Sequence, residues 1–465
     1  MKTILSYFTL FCSILGFSQE ITGDWNGSLK VMGQELFLTF NLTENEKVYA
    51  GTMSVPQQNA YGIPLSKVSF ENETLTVELK AAGLSYVGKR NSKGELEGTF
   101  SQNGQTFPMI LSREKNEATK INRPQEPKEP FPYSSEEVTF ENPKVKITLA
   151  GTLTLPKVDK PCPVVVLISG SGPQDRNSEI FNHKPFWVIA DHLSRNGIGV
   201  LRVDDRGVGQ STGDRTKATS LDFASDVEAA VAFLKTKQGV NHKKMGLIGH
   251  SEGGMIAPIV ASKDKSIAYI VLMAGPGVPC DELLIEQAYL IGKSGGLSET
   301  ELEQAKKLNQ KIYTSVKSEK STEEVKLEIE KLLKQNLSDN PEANYLSESE
   351  KKQMISQQTE QITSPWFRYF MKFNPDEFLS KIKCPVLILN GDKDLQVPAK
   401  MNTEGIQKSL AKAGNKKQTT IIYPNRNHLF QECTTGSIEE YGTIEQTISP
   451  QVLTDIATWI ARESK

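Results

Sequence analysis

The sequence predicts an α/β fold, in which a mostly parallel sheet carries helices on both faces, preceded by a small all-β domain. From residue 136 onward, short runs that are apolar throughout, such as 163–168 and 199–203, alternate with helical stretches. Such runs are typical of parallel strands that are buried on both faces. Residues 23–113 differ, because apolar and polar side chains alternate there, as in 34–42. This period of two is typical of half-buried antiparallel strands.

The composition and net charge indicate which classes of partner are not expected. The chain has 465 residues, of which 37% are hydrophobic and 24% are charged, and its formal net charge is −2. Such a balance gives no electrostatic reason to expect nucleic acid or an anionic membrane as a partner. No internal apolar stretch approaches the roughly 18 residues of a membrane span, so no integral membrane segment is expected.

The N-terminus has the pattern of a secretory signal peptide. A basic start is followed by an apolar run to Phe17, and small residues precede a cleavage site between Ser18 and Gln19. Cys12 follows the bulky Phe11, which does not suit a lipoprotein site. We therefore expect residues 1–18 to be removed and the protein to be exported to the periplasm or secreted; the alternative is a short buried N-terminal helix.

The remaining chain divides into three parts. Residues 19–113 form the small all-β domain, with a hairpin predicted at Asn103 and Gly104. Residues 114–133 are a Pro-rich linker, predicted to be a semi-rigid spacer. Residues 134–465 form the α/β domain, with a helical insertion at about 280–380. Because loops at the carboxyl ends of parallel strands carry functional sites, we expect this insertion to be a cap rather than a peripheral decoration.

Gly249-His250-Ser251-Glu252-Gly253 is the most informative motif. It has the form G-x-S-x-G, and it lies between an apolar strand-like run and an apolar helix-like run. In serine hydrolases this pattern forms a sharp strand-to-helix turn that exposes the nucleophilic serine. Its alternative interpretation is a Gly-rich connection without chemistry. We expect Ser251 to be the nucleophile.

A serine nucleophile needs a histidine base and a carboxylate that orients the base. Of the five histidines, only His428 follows Ser251, as the order Ser, Asp or Glu, His requires. Asp392 and Asp394 both follow the apolar run 386–389, where the carboxylate should lie. Asp394 is the stronger candidate, since it lies deeper in the loop, whereas Asp392 stands beside Lys393.

Acyl transfer also needs hydrogen-bond donors for the developing oxyanion. The backbone N–H of Glu252, directly after the nucleophile, is one candidate. The second is expected from the Gly-rich loop after the run 163–168, at Ser171 or, alternatively, at Gly172. An ordinary tight turn is the other interpretation of this loop.

The motifs 168–176, 204–211, 249–254, 391–398 and 427–430, taken in order, resemble the EstD-type esterases of the α/β-hydrolase superfamily, near the serine aminopeptidase-like branch. The resemblance implies an α/β-hydrolase fold and a triad of Ser251, Asp394 and His428. It also implies activity on carboxylic esters with short acyl chains. We expect a small-molecule ester substrate with a short-to-medium acyl chain, cleaved without metal or cofactor. One departure is Ser169, where many superfamily members have histidine.

Two alternatives to a carboxylesterase remain from the sequence. A peptidase or amidase would use the same triad, with Arg176 or Glu252 as a candidate for binding a terminal charge of the substrate. A binding protein that uses its β domain and has lost catalysis is disfavoured by the intact triad. Trp366, Phe367 and Tyr369 of the insertion are candidates for substrate contacts.

Overall fold

The structure is a computed structural model that describes residues 21–31, 34–45, 48–55, 60–102, 105–114, 122–339 and 348–465. The expected signal peptide and the turn at Asn103 and Gly104 therefore lie outside the described residues. The chain forms two compact units, residues 1–119 and residues 120–465, and each is described by itself.

The described part of the first unit is an antiparallel meander. Its strands are β1 (Gly23–Val31), β2 (Gln34–Asn45), β3 (Val48–Val55), β4 (Ala60–Pro64), β5 (Lys67–Glu71), β6 (Thr74–Leu79), β7 (Leu84–Arg90), β8 (Leu96–Gln102) and β9 (Gln105–Leu111). They form a four-stranded sheet, β1 to β4, and a five-stranded sheet, β5 to β9. Asn26 and Ser112 exchange two backbone hydrogen bonds, so the first and last strands meet. The meander thereby closes into a barrel.

Large side chains fill one part of this barrel. Trp25, Phe40 and Tyr86 are almost fully buried, and the indole N–H of Trp25 donates to the carbonyl of Ile21 at 2.7 Å. Trp25 is therefore a core residue of this unit.

The second unit is built on one eight-stranded sheet, in the order β10-β11-β13-β12-β14-β15-β16-β17. Its strands are β10 (Tyr133–Asn142), β11 (Ile147–Pro156), β12 (Cys162–Ile168), β13 (Gly199–Val203), β14 (Val240–His250), β15 (Ile267–Met273), β16 (Val386–Gly391) and β17 (Gln418–Tyr423). The lead strands β10 and β11 pair antiparallel, and β12 to β17 are parallel. This confirms the predicted mostly parallel sheet.

Helices cover both faces of the sheet. The helices of the second unit are α1 (Pro185–Arg195), α2 (Ser220–Leu234), α3 (Gly253–Ala261), α4 (Cys280–Ser294), α5 (Glu299–Lys317), α6 (Thr322–Asp339), α7 (Glu348–Ile362), α8 (Pro365–Lys372), α9 (Asp376–Leu379), α10 (Ala399–Lys412), α11 (Ile438–Tyr441) and α12 (Pro450–Glu463). α1 and α12 pack on one face, where Ile189 and Ile456 are buried. α2, α3 and α10 pack on the other, where Val231 and Ile259 are buried.

The insertion between β15 and β16 contains α4 to α8 and has a small core of its own, which includes Val316, Val325 and Ile329. At the start of α5, Ser298 and Glu301 form a capping box, with each side chain bonded to the backbone of the other residue. The sequence therefore specifies this helical block locally, through caps and an apolar stripe.

The described part of the Pro-rich segment, residues 122–133, is bound to the rest of the second unit. The Arg123 guanidinium donates to four backbone carbonyls, including those of Ile444 and Gly442. The Gln125 side chain bonds the backbone of Thr447 and Ile448. The prolines alone predicted a spacer, but these two polar side chains fix the segment in place.

Three further observations concern the described residues. Their four cysteines, at 162, 280, 384 and 433, are free thiols. They include no group of three or more His, Cys, Asp or Glu side chains placed to hold a metal ion. Among the helices in this part of the chain, none is long and apolar enough to cross a bilayer.

Candidate active site

Ser251 lies in the turn between β14 and α3, near the centre of the sheet. Its φ angle is +55°, in the left-handed region that non-glycine residues rarely adopt. A Cβ at Gly249 would lie 2.0 Å from the carbonyl oxygen of Gly253, and one at Gly253 would lie 2.2 Å from that of Ile168. Glycine is thus required on both sides of Ser251, because the backbone turns too tightly for any other residue.

His428 and Asp394 form a buried pair at the same edge of the sheet. His428 Nδ1 lies 2.8 Å from Asp394 Oδ2, and the two side chains are only 5% and 0% exposed. Asp394 follows β16 and His428 follows β17, which are parallel neighbours. The carboxyl ends of β14, β16 and β17 therefore bring all three residues of the expected triad to one edge.

The surroundings of Asp394 suit a carboxylate that orients a histidine. Its Oδ1 accepts hydrogen bonds from the backbone N–H groups of Gln396 and Val397, at 2.9 and 2.8 Å, which leaves Oδ2 for His428. Asp392, the alternative considered from the sequence, is exposed and accepts from the backbone N–H of Asn425. The structure thus separates the two aspartates, and only Asp394 bonds the histidine.

His250 holds the backbone of His428 from the other side. Its Nε2 lies 2.9 Å from the carbonyl oxygen of His428, so Nε2 must carry the proton and donate. Burial, together with the nearby His428, lowers the pKa of His250 to about 3. His250 is therefore a neutral, fixed donor, and it restricts the position of the loop that carries His428.

The loop after β12 approaches Ser251 through Gly170. A Cβ at Gly170 would lie 3.2 Å from Ser251 Cβ and 3.7 Å from Ser251 Oγ. Ser171, the expected second donor, follows directly and is exposed at the surface. The backbone of this loop therefore passes close to the serine hydroxyl at Gly170.

The carboxylate of Asp205 holds the loop 169–174 in place. It accepts from the Ser169 hydroxyl at 2.7 Å, the Gln174 backbone N–H at 3.1 Å and the Arg215 guanidinium at 2.8 Å. Burial raises the pKa of Asp205 to about 6, despite these donors. One carboxylate thus fixes both ends of the segment 169–174.

Glu252, whose backbone N–H is the first expected donor, has a buried side chain that joins three elements. Its Oε1 accepts from the Ser220 hydroxyl at 2.6 Å and from the indole N–H of Trp366 at 2.9 Å. Its Oε2 is buried and has no hydrogen-bond partner among the described residues. Trp366 belongs to α8, so the insertion contacts the residue directly after Ser251.

The structure leaves neither group proposed for binding a terminal charge free to do so. The Arg176 guanidinium bonds Asp204, Glu137, Thr152 and Gln210. Glu252 is only 2% exposed and lies beneath Trp366. Both side chains are committed to internal contacts.

Three residues at this site were not given roles by sequence reasoning, namely Gly170, Asp205 and His250, and Trp366 was expected to contact substrate rather than Glu252. Gly170, Asp205 and His250 all lie within motifs that carry the family resemblance, so their positions were marked but their contacts were not. Trp366 is 114 residues from Glu252 in the sequence, and no local pattern predicts their hydrogen bond.

Comparison with known proteins agrees with this fold. A family model described as serine aminopeptidase, S33, matches residues 186–432, which is more than half of the chain and includes Ser251, Asp394 and His428. Esterase EstD of Thermotoga maritima is 26% identical over 325 residues, which cover 70% of this chain and 68% of that relative.

Two solved structures are examples of those that are similar to this chain. The Pyrococcus furiosus esterase PF2001 is 17% identical, with 75% of this chain and 99% of that chain covered and a TM-score of 0.43. Est1E from Butyrivibrio proteoclasticus, solved with ferulic acid, is 16% identical, with 70% and 96% covered and a TM-score of 0.40. Both lie below the similarity at which a function can be transferred.

The sheet order, the tight turn at Ser251 and the family match together define an α/β hydrolase. The chain belongs to the serine aminopeptidase S33 family of hydrolases. The resemblance inferred from the five sequence motifs is thereby confirmed.

Proposed function

We propose that this protein is a carboxylesterase that cleaves small esters with short-to-medium acyl chains. One observation carries the proposal: the buried pair of His428 and Asp394 lies at the same sheet edge as the tight turn of Ser251. A relative of the chain, from Thermotoga maritima, is named an esterase. Acyl transfer from an ester needs this set of groups and no metal or cofactor.

The proposed mechanism has two steps. His428 takes the proton of Ser251 as the hydroxyl oxygen attacks the ester carbonyl, and Asp394 stabilises the imidazolium without taking a proton. The backbone N–H groups of Glu252 and Ser171 hold the oxyanion, and His428 then protonates the leaving alcohol. Water, activated by His428, hydrolyses the acyl-enzyme and regenerates Ser251.

The ester substrate is favoured over a peptide by the charges near the site. An aminopeptidase must bind the ammonium group of its substrate, and Glu252 could do so only if Trp366 moved away. Arg176 is likewise committed to Asp204 and Glu137. An uncharged ester needs no such anchor. The peptidase therefore remains the second candidate, supported by the family description alone.

The test compares esters and anilides on the same chain. p-Nitrophenyl acetate, butyrate and octanoate are offered beside aminoacyl p-nitroanilides, to the wild type, Ser251→Ala and Ser262→Ala. Ser262 is a matched control, since it lies at the end of α3 and its hydroxyl donates to the Ile259 carbonyl. We expect ester turnover that is lost in Ser251→Ala and kept in Ser262→Ala. Dominant anilide turnover would make the protein a peptidase.

We also propose export after cleavage between Ser18 and Gln19, on the basis of the basic start and the apolar run that follows it. Expression in a bacterial host, followed by fractionation and N-terminal sequencing, tests this. A mature chain that begins at Gln19 in the periplasm or medium is the expected result. An intact Met1 in the cytoplasm would contradict it.

A further inference from the structure

The barrel of the first unit encloses a cavity of about 400 Å³. Pockets for small molecules usually have volumes of about 300–1,000 Å³, whereas packing voids in protein cores rarely exceed the size of a water molecule. The cavity is thus large enough to hold a ligand. Among the described residues, ten line it: Leu29, Leu36, Leu38, Met53, Val55, Leu84, Phe100, Gln102, Gln105 and Phe107.

The cavity is a feature of one part of the barrel and not of the whole. Elsewhere Trp25, Phe40 and Tyr86 fill the interior, and the Tyr86 hydroxyl donates to the carbonyl of Leu96 at 2.7 Å. Around the cavity, by contrast, Leu36 and Phe107 are only partly buried although both lie on inward-facing strand positions. Small closed barrels can hold one small ligand in such a space.

Two glutamines mark the place where the cavity meets solvent. Gln102 and Gln105 face each other across the β8–β9 pair, and both are exposed. Because side chains alternate along a strand, Gln102 shares the inward face of Phe100, and Gln105 shares that of Phe107. The two amides therefore stand at the rim of an otherwise apolar cavity.

The residues that line the cavity disfavour a charged ligand. Apart from the two glutamines, its described residues are apolar, and none of the ten carries a charge. A buried apolar wall favours a hydrocarbon chain, and primary amides can both donate to and accept from a neutral polar head. A carboxylate at the rim would find no cation among these residues.

We propose that the barrel binds the aliphatic chain of an uncharged single-chain amphiphile, with its polar head hydrogen-bonded by Gln102 and Gln105. A methylene group is about the size of a water molecule, which takes about 30 Å³, so the cavity accommodates a chain of roughly ten to twelve carbons. Fatty alcohols of this length represent the class. This site is independent of Ser251 and of the proposed esterase.

The test uses the full chain with Ser251→Ala, so that no ester bond is cleaved. N-phenyl-1-naphthylamine, an uncharged dye that fluoresces in apolar sites, is titrated first, and is then displaced with 1-decanol, decanoate at pH 8 or 1-butanol. We expect 1-decanol to displace the dye at a concentration at least tenfold lower than either competitor. Absence of dye binding, or equal displacement by all three, would overturn the proposal.

Variants assign the site to the barrel. Leu36→Trp fills the cavity and should weaken dye and 1-decanol binding at least tenfold. Ile110→Trp makes the same addition on the outer face of β9, where Ile110 is 51% exposed, and should change neither. Unchanged binding in Leu36→Trp would place the ligand elsewhere and overturn the proposal.

Gln105→Lys is a second variant, which tests the proposal even if Leu36→Trp does not fold. A lysine at the rim should strengthen decanoate binding about tenfold while leaving 1-decanol within a factor of two. A gain in affinity cannot result from unfolding. If Gln105→Lys leaves decanoate unchanged, the glutamines do not hold the head group and the proposal fails.

Discussion

The two units of this protein differ most in what they bury. Among the described residues, Asn26 is the only polar or charged side chain buried in the barrel unit, whereas the α/β unit buries Asp394, His428, Glu252 and many others. The barrel pairs its strands in sequence and closes on itself, so its interior stays apolar. The parallel sheet leaves the carboxyl ends of several strands at one edge, where polar groups from distant segments meet.

This difference shows which part of a fold can hold a site made of buried polar and charged groups. Burying a charged group requires partners, and a parallel sheet supplies them from loops that lie side by side. Asp205 has three donors from two segments, with Ser169 and Gln174 in one and Arg215 in the other. The comparison therefore predicts large effects on activity from the α/β unit alone, and effects on stability without loss of activity from the barrel.

The largest expected effect is that of Asp394→Asn. An amide at this position would donate toward His428 and favour the wrong tautomer, so kcat should fall about 10⁴-fold with the fold unchanged. Ester turnover and thermal unfolding of the purified variant provide the measurement. Asp392→Asn is the matched control, since Asp392 is exposed and bonds Asn425, and it should keep most of the activity. Equal losses in both variants would contradict the assignment.

Phe40→Ala should give the next largest effect, on stability. Phe40 is fully buried beside the ring of Tyr86, and removing such a ring usually costs about 3–5 kcal/mol. Urea unfolding should show the barrel transition at lower concentration, while ester turnover in buffer stays within a factor of two. A parallel loss of turnover would mean that the barrel supports catalysis, which would break the comparison.

Asp205→Asn should change the pH dependence of stability. Burial raises the pKa of Asp205 to about 6, above the value of about 3.9 for an unfolded chain. Above pH 6 the ionised Asp205 carboxylate therefore lowers the free energy of unfolding. This loss of stability disappears as the pH falls towards 4, because the carboxyl group is then protonated in the folded chain. Between pH 7 and pH 5 the wild type should gain about 1.4 kcal/mol of unfolding free energy relative to the variant.

Urea unfolding of both chains at the two pH values measures this difference. Because other groups titrate in both chains, only the difference between wild type and variant is informative. An identical pH slope in the two chains would show that Asp205 does not titrate in this range.

Trp366→Phe should give the smallest effect of the four. The substitution keeps the ring but removes the N–H that donates to Glu252, so the backbone after Ser251 becomes less fixed. We expect kcat to fall about fivefold, or roughly 1 kcal/mol, with a smaller change in KM. Trp187→Phe on α1 is the matched control and should have no effect. A change in KM alone would mean that Trp366 contacts substrate and does not position Glu252.

Much of the fold could be predicted from the sequence. The apolar runs predicted the parallel strands, and the alternation in 34–42 predicted the β region, because these patterns reflect burial directly. The positions of Ser251 and His428 followed from one motif and from chain order. The choice of Asp394 over Asp392 rested on depth in the loop, and the contact with His428 is consistent with it.

Contacts between distant segments could not be predicted. Glu252 bonds Trp366 across 114 residues, and Arg123 bonds Ile444 across 321. No periodicity encodes such pairs, since each residue alone is compatible with solvent. The cavity of the barrel was equally hidden, because Leu36 and Phe107 have the same alternation as residues of a filled core.

The left-handed backbone at Ser251 limits which nucleophiles evolution or engineering could install there. A β-branched side chain is strongly disfavoured at a φ of +55°. The loop at Gly170 also leaves little room, since a Cβ added there would lie 3.2 Å from Ser251 Cβ. Threonine is thus excluded although it carries the same hydroxyl. Cysteine, which is unbranched, fits the same backbone. The turn therefore permits replacement of the serine hydroxyl by a cysteine thiol, but not by the secondary alcohol of threonine.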